Sequence, residues 1–347
     1  MIAGGVTKMR RYAGRVRRSL WRRSLILLYH RVEEVWPDPW GLAVSPANFR
    51  DHLEVIRGYG AALSLSELVE SLSAGKVPRK GIVLTFDDGY ADNLNNAKPL
   101  LEEFGIPATV FVATGYIGGQ REFWWDALDN VFLQPNTLPG ELRLRISGSE
   151  HQWDLGDAAV YTAERTVIER ESKEGRGAAG VREKTYQELW KLLHPLTDVE
   201  RRITLGELQS WSGVDPSVRP SHRLLSREEV RKLDEGDLVE VGAHSVTHSS
   251  LGSLTRDDQV NEIRECKSVL EDILERPVTN FAYPFGKDWD FNQETIDAVR
   301  EAGFGSACST TRTHVGRDAD LFRLPRVVAS DLNAEQFDRF LFDLFNG

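Results

Sequence analysis

Two cysteines and two methionines in 347 residues leave this chain little sulfur chemistry. Cys266 and Cys308 lie far apart and carry no metal-ligand spacing, which argues against a disulfide framework and a thiolate zinc site. Buried thiols in a reducing compartment fit better. Apolar runs are short as well: none reaches the roughly 18 residues that a membrane-spanning helix needs. The run Leu25-Ile26-Leu27-Leu28 follows a basic stretch, but it is too short for a secretion signal core. It passes into Tyr29-His30 with no small-residue cleavage site. Low-complexity tracts and internal repeats are absent too.

Acidic residues are missing from positions 1–23, which hold Lys8, Arg10, Arg11, Arg15, Arg17, Arg18, Arg22 and Arg23. The rest of the chain sets 35 of the 43 basic side chains against all 53 acidic ones. Such an acidic body argues against a nucleic-acid binder, whose footprint is a basic face. The basic start is a solvated arm or an amphipathic helix, since Val6, Met9, Ala13, Val16 and Leu20 recur every three or four residues. A helix of that kind can lie on an anionic membrane surface. The expected location is therefore cytoplasmic, with peripheral contact at the inner membrane face through residues 1–23.

From residue 24 the pattern alternates strand and helix, which predicts a parallel sheet covered by helices. Strands are expected at 25–28, 82–86, 108–113, 238–242, 280–283, 305–308 and 324–328. The helical stretches include 46–58, 66–72, 94–104, 226–235, 256–275, 292–302 and 334–345. The rhythm breaks between about 120 and 222. That segment opens with Phe123-Trp124-Trp125-Asp126, continues into a hairpin turning at Gly148, and adds polar helices at about 157–175, 182–194 and 198–211. It reads as a mainly helical insertion in one domain spanning 24–347.

Just past the strand at 82–86 comes Thr85-Phe86-Asp87-Asp88-Gly89-Tyr90-Ala91-Asp92-Asn93. One aspartate there can cap the next helix. Two adjacent carboxylates repel, and burying either is costly unless it is paired or bound to a cation. A partner is at hand in Gly242-Ala243-His244-Ser245-Val246-Thr247-His248. On a helical turn, residues four apart share a face, so both imidazoles can meet one ion. Two histidines and a carboxylate suit a zinc-like divalent cation with one position left open. Both motifs sit at C-terminal ends of predicted strands, where α/β barrels place their chemistry.

These motifs, with the later Phe281-Ala282-Tyr283-Pro284-Phe285-Gly286, stand in the order found in the polysaccharide deacetylases, carbohydrate esterase family four, which the chain resembles over about 24–118 and 223–330. The resemblance implies a distorted (β/α) barrel and a metal-dependent hydrolase that removes N-acetyl groups from an amino sugar in a polysaccharide or lipid-linked saccharide. Carried over position by position, Asp88, His244 and His248 become the metal ligands, and Asp87 becomes the general base toward a metal-bound water nucleophile. The ion is expected to be Zn2+, with Co2+ or Ni2+ as alternatives, and it acidifies water and polarises the acetyl carbonyl. The backbone N–H of Phe285 is the implied oxyanion donor, because Pro284 has none to give. Tyr283 and Pro284 are the substrate contacts that this motif suggests. Trp124 is a further candidate, since sugar C–H faces pack on indole rings.

Two departures from the family pattern matter. An arginine usually stands two residues before the motif proline and helps hold the base, and Ala282 takes that place. Arg326 is the expected replacement, with Arg323 second. The usual late Leu-x-His is also missing, so His30, at the end of the first strand, is the expected general acid. Two rival readings remain: a barrel that binds carbohydrate without turnover, and a deformylase acting on a lipid-linked amino sugar.

Overall fold

The computed structural model describes residues 23–60, 62–161 and 180–346. The basic amphipathic helix expected within 1–22 and most of the helix expected at 157–175 lie outside the described residues. Two compact units emerge, one from residues up to Glu34, Trp40–Ile117 and Leu225–Gly347, the other from Val35–Pro39 and Gly118–Leu224.

The strands are β1 (Leu25–Tyr29), β2 (Arg31–Val32), β3 (Ala43–Val44), β4 (Ala62–Leu63), β5 (Ile82–Phe86) and β6 (Ala108–Val112). They continue with β7 (Glu141–Ile146), β8 (Ser149–Asp154), β9 (Val239–Ala243), β10 (Asn280–Ala282), β11 (Ser306–Cys308) and β12 (Val327–Val328). In the first unit a curled sheet runs β11-β10-β9-β6-β5-β1-β12, with β4 beside the start of β5, and every pairing in it is parallel. Parallel strands covered on both faces call for near-continuous apolar runs. LILLY in β1, IVLTF in β5 and ATVFV in β6 meet that demand, being buried at every position. This is the expected α/β, (β/α)-barrel class.

The last strand is shorter than 324–328. Leu324 instead bridges Cys308 of β11, while Val327 pairs with Leu27 of β1. One short segment thus touches both edges of the curled sheet, and Arg326 stands between the two contacts. Helices follow most strands. The helix Arg256–Leu274 starts at Thr255, whose side chain accepts from the Asp258 N–H, and buries Gln259, Ile263, Cys266, Leu270 and Ile273. Val260 and Val269 of the same helix are partly buried against the core. Both cysteines are buried free thiols, and burial pushes each up to about 12. Among the described residues no helix is long and apolar enough to cross a membrane.

The second unit packs the helices Trp124–Phe132, Val181–Leu193 and Asp198–Ser212 with the antiparallel hairpin β7–β8. Alternate residues of β7 are buried, as one covered face requires. Ser147 and Gly148 both have positive φ, 49° and 81°, which makes the two-residue turn that matches strand twist.

Candidate active site

His30 follows β1, Asp87 and Asp88 follow β5, His244 follows β9, and Phe285 lies just beyond β10. Each sits past the C-terminal end of a parallel strand in one sheet, so a common curl brings them to one rim.

The two aspartates have different partners. Arg326 grips Asp87 with two parallel bonds, Nη1 to Oδ1 at 2.6 Å and Nη2 to Oδ2 at 2.7 Å. Its Nε donates to the Ser309 carbonyl at 3.0 Å, so the guanidinium plane is fixed from both sides. Arg326 is fully buried and Asp87 only 3 % exposed. Burial raises the Asp87 carboxyl, but the Arg326 charge and hydrogen bonds and nearby His244 outweigh it and hold it down at about 2. Asp88 lacks such a cation, and burial pushes it upward. The adjacent pair is thereby split into a stable carboxylate and one that needs another positive charge. Arg323, the second candidate, is exposed and lies 5.8 Å from the Phe291 ring.

That charge has a prepared place. Asp88 Oδ1 is buried without a hydrogen-bond partner, 3.2 Å from His248 Nε2 and 3.6 Å from His244 Nε2. The two Nε2 atoms are 3.1 Å apart. His244 Nδ1 lies 2.8 Å from the Ala282 carbonyl, which can only accept, so the proton sits on Nδ1 and the Nε2 lone pair faces inward. Burial lowers His244 to about 4, keeping it neutral. A carboxylate oxygen and imidazole nitrogens converging in a buried spot match the donor set of a catalytic divalent-metal site. The residues fit such an ion.

The histidine turn is not the helical turn that the spacing suggests. Residues 244–248 follow β9 as an irregular loop, with Ser245 and His248 at φ 62° and 51°. Glu262 holds it, accepting from the N–H groups of Val246 and Thr247 at 2.9 and 2.8 Å. The Ser245 hydroxyl accepts from the His248 N–H at 3.1 Å. A helix would stack the rings along an axis, whereas this loop folds them onto one point. Glu262 carries no local sequence signal, because its role exists only when the helix Arg256–Leu274 packs beside the loop. Asp88 and Phe285 also have positive φ, so among the described residues four of the seven such non-glycine positions belong to this site. Backbone strain concentrated in this way is a common mark of function.

His30 is half-buried, and its Nδ1 has no hydrogen-bond partner. Burial lowers its pKa, against the opposing pull of Asp88 and Asp87. The Phe285 ring stands edge-on to His248, centroids 4.7 Å apart.

Three substrate-contact expectations need correction. Tyr283 is fully buried, stacks on Phe291 at 4.0 Å and donates its hydroxyl to the Phe322 carbonyl. Pro284 is buried, and its carbonyl accepts from the Gly286 N–H at 2.6 Å. Trp124 belongs to the second unit and is 3 % exposed, packed with Trp125 and Trp190. Ring faces used up in packing cannot serve as sugar platforms. A further buried group, Asp126, Asp129 and His222, gathers in the second unit. The Arg219 guanidinium already lies there, bonded to Asp129 at 2.8 Å and to Glu122, and supplies the positive charge that these acids need.

The polysaccharide deacetylase sequence signature matches residues 74–143 and 207–307. YxkH of Bacillus subtilis (strain 168), assigned to the polysaccharide deacetylases, is 19% identical over 91% of this chain and 75% of its own length. Poly-beta-1,6-N-acetyl-D-glucosamine N-deacetylase of Staphylococcus aureus (strain MSSA476) is 29% identical over 108 residues, only 31% of this chain and 36% of that protein. Among solved structures, IcaB from Ammonifex degensii superposes with a TM-score of 0.56 at 16% identity, covering 92% of this chain and 97% of that one. Streptococcus pyogenes deacetylase PplD gives 0.53 at 18%, covering 92% and 98%. The matched segments contain Asp87, Asp88, His244, His248 and Phe285 but stop short of His30 and Arg326 on either side. With its motifs at the strand ends of the shared fold, the chain carries the polysaccharide deacetylase signature over about half of its length.

Proposed function

We propose that this chain is a metal-dependent hydrolase that removes N-acetyl groups from an amino sugar in a polysaccharide or lipid-linked saccharide. The observation that carries this is the split aspartate pair: Asp87 locked to Arg326, and Asp88 turned to two inward-facing imidazole nitrogens. Asp88, His244 and His248 would hold the ion. A bound divalent cation, Zn2+ in the simplest case, supplies Lewis-acid activation of water and of the acetyl carbonyl.

The chain's own groups carry the proton traffic. Asp87, kept ionised and oriented by Arg326, takes a proton from the attacking water as the new C–O bond forms. The Phe285 N–H donates to the carbonyl oxygen as it gains charge. His30 gives a proton to the amine nitrogen as the C–N bond breaks, so acetate and a free amino sugar leave. The poly-N-acetylglucosamine deacetylases among the relatives support a β-linked N-acetylglucosamine polymer as the substrate class. We place this work at the cytoplasmic membrane face, on the strength of the basic residues 1–23. Fractionation that finds the protein secreted and free of membrane would remove that placement.

The test is acetate release from N-acetylglucosamine oligomers, with metal stripped and then restored, and with Asp87→Asn alongside. Metal-dependent release lost in Asp87→Asn is the expected result. One tightly bound ion per chain without acetate release would refute the deacetylase reading. Formate release from an N-formyl analogue would then identify the deformylase instead.

A further inference from the structure

Two positions of the first motif, Asp92 and Asn93, have no part in the chemistry above. Both are buried, at 5 % and 1 % exposure. Asp92 Oδ2 accepts from Arg31 Nε and Nη2 at 3.0 and 2.9 Å, and its Oδ1 accepts from the Val32 N–H at 2.9 Å. Asn93 Nδ2 donates to the His30 carbonyl at 2.9 Å and to Asp92 Oδ1 at 3.2 Å. The Arg31 guanidinium lies 4.3 Å from the Tyr90 ring centre. Two neighbouring side chains thus hold three consecutive residues, His30, Arg31 and Val32.

This grip acts where the His30 ring lacks support of its own, since Nδ1 is buried and unbonded. A ring without such a bond takes its position from its backbone and its packing. A buried ion pair is also a poor choice for stability alone, because an apolar pair of similar size often does as well. Fixing a unique arrangement is the better-attested use of such pairs.

We propose that Arg31, Asp92 and Asn93 are positioning residues for His30. They tie the proton donor's backbone to the same loop that bears Asp87 and Asp88, so donor and base keep one spacing. The inference rests on the reading of His30 as the general acid.

The test compares wild type with Asn93→Ala on two substrates. An N-acetylglucosamine oligomer has an amine leaving group that must be protonated, whereas 4-nitrophenyl acetate releases a phenolate that need not be. The expected result is an amide kcat about 10–100-fold lower, part of the general-acid contribution. Amide KM and ester turnover should stay within about 2-fold, and His30→Ala should show the same selective pattern. Equal loss on both substrates, or full amide activity, overturns the proposal. Asp92→Asn, which keeps an acceptor for Val32, takes over if Asn93→Ala does not fold. Crystal structures separate this question from the function. Displacement of His30, with Asp88, His244 and His248 unmoved, supports the clamp even if wild type releases no acetate. An unmoved His30 refutes it in either case.

Discussion

Replacing Arg326 with Met removes both bonds to Asp87 and leaves a carboxylate 3 % exposed beside Asp88. Two routes give the size of the effect. Asp87 lies near 2 against an ordinary 3.8, and that difference corresponds to about 2–3 kcal/mol of preferential stabilisation of the ionised form. This is a lower bound, because Arg326 also offsets the burial cost that opposes it. Breaking a buried pair by removing one partner typically costs about 3–5 kcal/mol. Arg326→Met should therefore lose about 3–5 kcal/mol in equilibrium urea unfolding at pH 7 with chelator present. Adding Asp87→Asn removes the stranded charge and should recover about 2 kcal/mol or more, a clear coupling in a double-mutant cycle. A loss below about 1 kcal/mol in the single variant, or no recovery in the double, would refute the argument that Arg326 is what keeps Asp87 ionised.

Other outcomes follow from the same geometry. His52 is buried between the Tyr29 hydroxyl and the Leu332 carbonyl, stacks on Phe337, and is lowered by burial to about 4. The unfolded chain therefore binds this proton more readily, so its contribution is complete above about pH 6.5 and is lost as pH falls toward 4. Stability should drop by about 1.4 kcal/mol per pH unit in that window, and His52→Phe should flatten urea midpoints measured from pH 5 to 7. Asp88→Ala should abolish stoichiometric Zn2+ binding in calorimetry while the protein stays folded, whereas Asp87→Asn should still bind one ion. Gly286 has φ 71°, and an added Cβ would lie 2.9 Å from Thr310 Cγ2 and 3.0 Å from its backbone nitrogen. Gly286→Ala should cost about 1–2 kcal/mol and lower kcat more than KM, because Phe285 is the adjoining residue. Unchanged kinetics would remove the Phe285 N–H from the mechanism.

The residues themselves determined much of this protein. Near-continuous apolar runs such as LILLY and IVLTF suit strands covered on both faces, and their alternation with capped helices implies a parallel barrel. An adjacent aspartate pair at a strand end asks for a cation, and His244 and His248 were identifiable from residue type and position. Tertiary structure decided how the pair is divided. Arg326 reaches Asp87 across 239 positions because the closing segment bridges β11 and pairs with β1, and no local pattern encodes that approach. The turn that converges the histidines depends on Glu262 in another element, so spacing alone suggested a helix. Tyr283 and Trp124 look like sugar contacts in a one-dimensional reading, because residue type does not say which face of a ring is covered. Composition and period fix which elements form, whereas burial and charge compensation arise only between elements distant in the chain.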